Sequence, residues 1–197
     1  VRSTFDGALL EAVSGLTTTS LTNISPESLG KSILFFRSAS QWMGGLGALM
    51  LVFVALPAAG RSEEFDVSFA NSITSQTVSK TLHRLAKFYC ILTLFIGGAF
   101  LIAGMTFFES LCHAFSAVST GGFSTRNASI SGFDSGAIEW VVAASMIFSA
   151  MNIVILWWIW KRKFRLVAKN SELQFFALLV VVCTLLFGVW IRNSGSF

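Results

Sequence analysis

Residues 16–22 read LTTTSLT and residues 118–124 read VSTGGFS, two polar switches in a chain that is otherwise apolar. Each follows a short apolar stretch, FDGALLEAVSG over 5–15 and FFESLCHAFSA over 107–117. Shifted by 102 residues, the first stretch falls on the second: Phe5 on Phe107, Leu9 on Leu111, Ala12 on Ala114, Ser14 on Ser116 and Thr18 on Thr120. Conservative pairs fill the intervals, among them Val13 with Phe115, Thr17 with Ser119, Leu21 with Phe123 and Thr22 with Ser124. An ungapped match of this density is an internal repeat. A lone run of threonines reads equally well as a cap on a buried helix end. Its recurrence as STGGFS at the same offset argues for a shared role instead.

The composition names the solvent. Hydrophobic residues make up 54% of the chain, charged residues 12%, and the mean hydropathy is +0.71, far from the balance of a soluble globular domain. The net charge of +4 does not read as a nucleic-acid footprint, because the lysines and arginines sit in short clusters between apolar runs. Cys90, Cys112 and Cys183 lie far apart in apolar surroundings, without CxxC spacing, and read as structural free thiols. Val1 is not a methionine and no signal-peptide pattern follows it, so a piece of a longer chain is expected.

A membrane-crossing helix needs roughly 20 mostly apolar residues. Four segments meet that length: Ile33 to Pro57, Phe88 to Phe108, Ile138 to Trp160 and Leu173 to Ile191. The connections carrying Arg61, Lys80, Arg84 and Lys87, and then Lys161, Arg162, Lys163, Arg165 and Lys169, are cytoplasmic by the positive-inside rule. Opposite them, residues 1–31 and 109–137 carry only Arg2, Lys31 and Arg126. The tryptophans at 157, 158 and 160 suit a helix end at the interface. The two repeated apolar stretches are too short to cross and read as re-entrant half-helices.

The fold expected is therefore an all-α membrane protein built on a span, re-entrant half-helix, polar loop, span unit, with about four crossing helices and two half-helices. Residues 1–57 form a first repeat without its opening span, 58–87 a cytoplasmic linker, and 88–160 a complete second repeat. A cytoplasmic loop over 161–172 and a further span over 173–197 follow. Irregular backbone at membrane depth is tolerated only beside protein or a water-filled path. A half-helix aims the negative end of its dipole beyond its last turn, which favours a cation there. Backbone carbonyls of a following loop can then replace the hydration shell of a potassium or sodium ion.

The stretches FDGALLEAVSGLTTTSLT, FFRSASQWMGGLGALMLVFVALP and CHAFSAVSTGGFST resemble the pore subunits of the Trk/Ktr/HKT cation transporters, particularly the bacterial Trk type. The resemblance covers essentially the whole chain. It implies a potassium-channel-like pore in which one polypeptide carries four such repeats, with residues 173–197 the first span of the third and two of the four filter loops outside this sequence. It also implies that Thr18, Thr19, Ser20 and Leu21 of the first loop, and Thr120, Gly121, Gly122 and Phe123 of the second, form the cation-binding filter. Bacterial Trk members usually have glycine where Ser20 stands. In plant relatives a serine there goes with sodium and a glycine with potassium, so both K+ and Na+ stand as the transported ion.

Arg37 and Gln41 occupy the RSxxQWxGGLG pattern, and the resemblance gives them a pore-supporting role. From physics alone, Arg37 either snorkels to the outer headgroups or bonds carbonyls of the re-entrant segment. The resemblance further implies a bacterial inner-membrane location, a homodimer of the full-length chain, and a cytoplasmic nucleotide-binding regulatory subunit. No bound cofactor and no nucleic-acid partner are expected beyond the transported ion and lipid.

Other features read more plainly. Gly44, Gly45 and Gly47 serve either close helix packing or a gating hinge, with packing the commoner use. Glu109 and His113, four apart, lack the third ligand and general base of a zinc hydrolase and read as the polar outer face of the half-helix. No nucleophile with a base and no paired carboxylates occur in the spans, so an enzyme is not expected. The alternative to cation uptake is a non-transporting structural or accessory membrane protein.

Overall fold

The computed structural model describes residues 5–58, 75–151 and 153–193. Helices and two short 3-10 turns account for its regular structure, with no strand among the described residues. The helices are α1 (Phe5–Leu16), α2 (Lys31–Ala58), α3 (Ser75–Ile102), α4 (Phe107–Val118), α5 (Gly136–Ala150), α6 (Ile153–Trp160), α7 (Phe164–Lys169) and α8 (Ser171–Asn193). They fall into two compact units, one running to Ser149 and one beginning at Ala150.

In the first unit α2 packs against α1, α3 and α4, and α3 packs against α4. Tyr89, Ile96, Phe100, Met105, Ala114, Val118 and Ile138 form its buried apolar core. Trp42 stitches the seam: its indole N–H donates to Thr93 Oγ1 at 2.9 Å, and its carbonyl accepts from the Tyr89 hydroxyl at 3.3 Å. Its ring packs on Tyr89 and Phe115 with centroids at 5.3 and 5.6 Å.

Small residues set how close α2 can come. A Cβ on Gly44 would lie 2.1 Å from the Leu16 carbonyl oxygen, and one on Gly45 would lie 2.8 Å from both Ser119 Cβ and the Tyr89 hydroxyl. Gly44 and Gly45 are thus contact positions against the ends of α1 and α4, and α2 runs through them as unbroken helix. Gly47 faces open space.

The joint between α3 and α4 lies earlier than hydropathy placed it. The second span was expected to reach Phe108, but α3 ends at Ile102. Gly104, at φ 107°, takes the left-handed position, with Gly104 N–H on Leu101 O at 3.1 Å and Met105 N–H on Phe100 O at 3.1 Å. That is a Schellman ending. Thr106 then caps α4 through a reciprocal box with Glu109. Both signals, a glycine and then T-x-x-E, stand in the sequence GMTFFE and outweigh the apolarity around them.

The third span, expected as one helix from Ile138 to Trp160, is divided. Helix α5 stops at Ala150, Met151 bends, and helix resumes at Ile153. Hydropathy averages over side chains and carries no information about backbone continuity.

By length and composition, two of the described helices can cross a bilayer: Leu82–Ile102 within α3, and α8. The α3 helix begins at Ser75, so the basic end of the expected linker is helix continuous with the span; Arg61 lies outside the described residues. In the second unit, α7 occupies the expected cytoplasmic loop, and Asn170 Oδ1 accepts from Leu173 N–H at 2.8 Å to start α8. Helix α8 is apolar along most of its length and has no buried residue within its unit.

Candidate functional site

Helices α1 and α4 end in the same way. Thr18 N–H bonds Gly15 O at 3.1 Å and Thr19 N–H bonds Ser14 O at 3.0 Å; Thr120 N–H bonds Ala117 O at 3.1 Å and Gly121 N–H bonds Ser116 O at 2.8 Å. These are Schellman endings whose left-handed position is filled by threonine, at φ 55° for Thr18 and 52° for Thr120. Glycine is the usual occupant, and a β-branched residue there is an outlier that costs on the order of 1–3 kcal/mol. Two residues on, Ser20 at φ 62° and Gly122 at φ 123° repeat the left-handed turn. The repeat seen in sequence is thus a repeat of backbone conformation, residue for residue. Left-handed and ordinary φ values alternate through each loop.

The hydroxyls before the loops repeat as well. Thr17 Oγ1 donates to Val13 O at 2.7 Å, and Ser119 Oγ donates to Phe115 O at 2.9 Å. After the loops, Thr22 Oγ1 donates to the Glu11 carboxylate. Its counterpart Ser124 meets His113 Nε2 at 3.1 Å, while His113 Nδ1 lies 2.8 Å from Glu109 O. A carbonyl only accepts, so Nδ1 carries a proton and, in the neutral ring, Nε2 accepts from Ser124. Each of the two short helices thereby holds the exit of its own loop through position 11 or 113.

His113 is therefore not on a polar outer face as expected; it is buried, with ring contacts to Phe100 and Phe133. Glu109 caps α4 and pairs with Arg126 at 2.8 Å, while Arg126 also donates to Gly132 O. Burial pushes the Glu109 carboxyl up, and bonds from Thr106 and Arg126 more than offset this, leaving it below the usual carboxylate value.

Arg37 takes neither course open to it in the sequence. It is 5% exposed, its Nε lies 2.9 Å from Glu11 Oε2, and its guanidinium sits 4.2 Å over the Phe123 ring. The pair joins α2 to α1, and the ring contact joins both to the second loop. Phe123, expected among the filter residues, has its ring buried in this contact, so its backbone is the part left for any lining role. Leu21, its counterpart, is exposed.

Gln41 is fully buried and touches both repeats. Its Nε2 donates to Ser20 Oγ at 2.7 Å, and its Oε1 accepts from Ser116 Oγ at 2.9 Å. Ser116 Oγ in turn accepts Gly122 N–H at 2.8 Å. Ser14, the counterpart of Ser116, is buried without a hydrogen-bond partner for its hydroxyl among the described residues. Farther out, Glu27 accepts from Asn127 N and Nδ2 at 3.1 and 2.7 Å, and Ser25 donates to Asn127 Oδ1 at 2.6 Å.

The eight loop residues expected from sequence thus form two conformationally matched loops, tied together by Gln41 and by Arg37 over Phe123. Sequence reasoning gave no site role to Glu11, Ser116, Glu27, Asn127 or Arg126. The offset held a signal for two of them, since Ser116 repeats Ser14 and Glu11 pairs with His113.

Helices of membrane-crossing length, a repeated short helix ending in a strained loop and no strand among the described residues place the chain in the class of helical membrane proteins with internal repeats. The cation transport protein family TrkH matches residues 2–191, and the chain belongs to that family. It is 36% identical over 163 residues to a Trk system potassium uptake protein TrkH of Halomonas elongata, covering 79% of this chain and 34% of that one. To the TrkH of Escherichia coli K12 it is 32% identical over 205 residues, covering 98% and 42%. The crystal structure of the potassium transporter TrkH from Vibrio parahaemolyticus is similar with a TM-score of 0.84 and 31% identity, over 97% of this chain and 40% of that one. The match thus spans between about a third and two fifths of the length of these relatives.

Proposed function

We propose that the chain contributes two loops of a selectivity filter through which a monovalent cation, potassium in the first instance, enters the cell across the bacterial inner membrane. The observation that carries this reading is the matched pair of strained loops at 17–21 and 119–123, each placed at the C-terminal end of a short helix. Left-handed turns at alternate residues bring successive carbonyls toward one side, and the helix ends add a field favourable to a cation. The cost of threonine in the left-handed region is repaid if those oxygens replace an ion's water. Potassium is favoured by the names of the relatives, and sodium is the competing ion because of Ser20.

Two loops do not encircle an ion, so the remaining walls come from further sequence or from another copy of the chain. The family resemblance adds a homodimer and a cytoplasmic nucleotide-binding regulatory subunit as partners. The test is uptake by the natural gene in a bacterium lacking its own potassium transporters. Gly122→Asp and Thr120→Val are each expected to abolish potassium and rubidium uptake while the protein remains in the membrane. Normal uptake in both variants would refute the reading.

A further inference from the structure

Between the apolar helices α6 and α8 the chain makes one tight cationic turn. Helix α6 closes with Arg162 N–H on Ile159 O and Lys163 N–H on Trp158 O, both at 2.9 Å, and Arg162 takes the left-handed position at φ 55°. Helix α7 starts at once, with Leu166 N–H on Lys163 O at 3.0 Å, and Gln174 Nε2 of α8 donates to Ala168 O at 2.8 Å. A helix of six residues has no stability of its own, so the bonds at its two ends hold it in place. Residues 161–172 carry five basic residues and one acid, Glu172. Arg165 and Lys169, four apart, share a face of α7, and Arg162 and Lys163 are exposed beside it. Large apolar side chains stand in the open among these charges: Phe164 is 61% exposed, Leu166 44% and Trp160, at the end of α6, 63%. Orienting a membrane helix requires only an excess of cations. It does not require apolar side chains exposed between them, which in water is a liability.

We propose that this turn is a docking surface for an anionic phospholipid, with Arg162, Lys163, Arg165 and Lys169 meeting the phosphate headgroup and Phe164 and Leu166 meeting the apolar boundary beneath it. Depth supports the assignment. Helix α6 ends in Trp160, a residue type that settles at headgroup level, and α8, from Ser171 on, is long and apolar enough to cross a bilayer. The turn between them lies at the membrane surface. Arginine offers phosphate a planar fork of donors and lysine a compact charge. Cations flanked by exposed apolar side chains are the means by which interfacial helices hold anionic lipid. An acidic protein face would neutralise the same charges, but it would leave Phe164, Leu166 and Trp160, which continue the apolar surface of α6, without an apolar partner. The inference does not depend on which ion passes the loops. It requires only that α6 and α8 lie in the membrane.

The experiment reconstitutes the full-length natural protein in phosphatidylcholine vesicles and quenches its tryptophan fluorescence with brominated phosphatidylglycerol or brominated phosphatidylcholine. Trp158 and Trp160 end α6 and report lipid at the turn, while the other tryptophans give a background common to every variant. A single basic residue near an anionic surface is worth up to about fivefold, so the wild type is expected to favour the anionic lipid by at least about threefold. Arg162→Gln/Lys163→Gln/Arg165→Gln/Lys169→Gln is expected to bring that ratio to about one. Where this variant fails to insert, Arg165→Gln/Lys169→Gln keeps the cations at the end of α6 for orientation and is expected to lower the ratio by at least about twofold. Lys80→Gln/Arg84→Gln/Lys87→Gln, on α3, is expected to leave it unchanged, and so is an excess of inorganic phosphate. A wild-type ratio near one overturns the proposal and leaves the turn to an acidic protein. An equal fall in the α3 variant, or loss of the preference to inorganic phosphate, overturns it as well.

Discussion

Glu11→Gln tests the junction on which the first loop is mounted. Arg37 is buried to 5% exposure, and its Nη1 and Nη2 have no hydrogen-bond partner among the described residues, so the Glu11 carboxylate at 2.9 Å is its charge partner there. Removing one member of a buried pair costs about 3–5 kcal/mol, because the other charge stays desolvated. The Phe123 face, at 4.2 Å, is present in both forms and so does not offset the loss. For a chain of this size the net loss lowers the melting temperature by roughly 10 °C. The double variant Glu11→Gln/Arg37→Met replaces both charges and is expected to recover most of the loss. The assay is thermal denaturation of the detergent-purified protein, followed by tryptophan fluorescence. A Glu11→Gln melting point within a degree of wild type, or a double variant that loses the sum of the two single losses, would refute the reasoning.

Three further outcomes follow from the same structure. Gly44→Ala drives a Cβ to 2.1 Å from the Leu16 carbonyl, a backbone atom, and is expected to destabilise by at least about 2 kcal/mol, while Gly47→Ala, facing open space, changes stability by less than about 0.5 kcal/mol; melting curves of the two check this. Thr18→Gly relieves a left-handed threonine and is expected to leave stability unchanged or raised by up to about 1 kcal/mol, yet to slow cation uptake by freeing the loop; a large loss of stability contradicts it. Thr106→Ala removes the capping box of α4 and is expected to cost about 1 kcal/mol in the same melting assay.

Much of the site was legible because the polar switches repeat, and repetition is a property of the sequence. The short helices α1 and α4 stand where the sequence has apolar stretches too short to cross, and the loops are their hydroxylated continuations. What hydropathy could not carry was backbone continuity: it placed the end of the second span at Phe108, past a Schellman glycine at 104, and ran the third through the bend at Met151. Partnership across long sequence distances was also hidden. That Arg37 would meet Glu11 and Phe123, and Gln41 would meet Ser20 and Ser116, depends on how α2 lies against α1 and α4, which no local pattern encodes. His113 looked like a surface residue because its helix is polar at 109 and 113, but Phe100 and Phe133 close over it.

The central claim, that the loops at 17–21 and 119–123 line a path for cations, is tested most directly by potassium flux through the purified natural protein in liposomes. The account predicts potassium flux above that of empty liposomes, lost in Gly122→Asp with the protein still incorporated. Flux no greater than in empty liposomes, or equal flux in the variant, would contradict it.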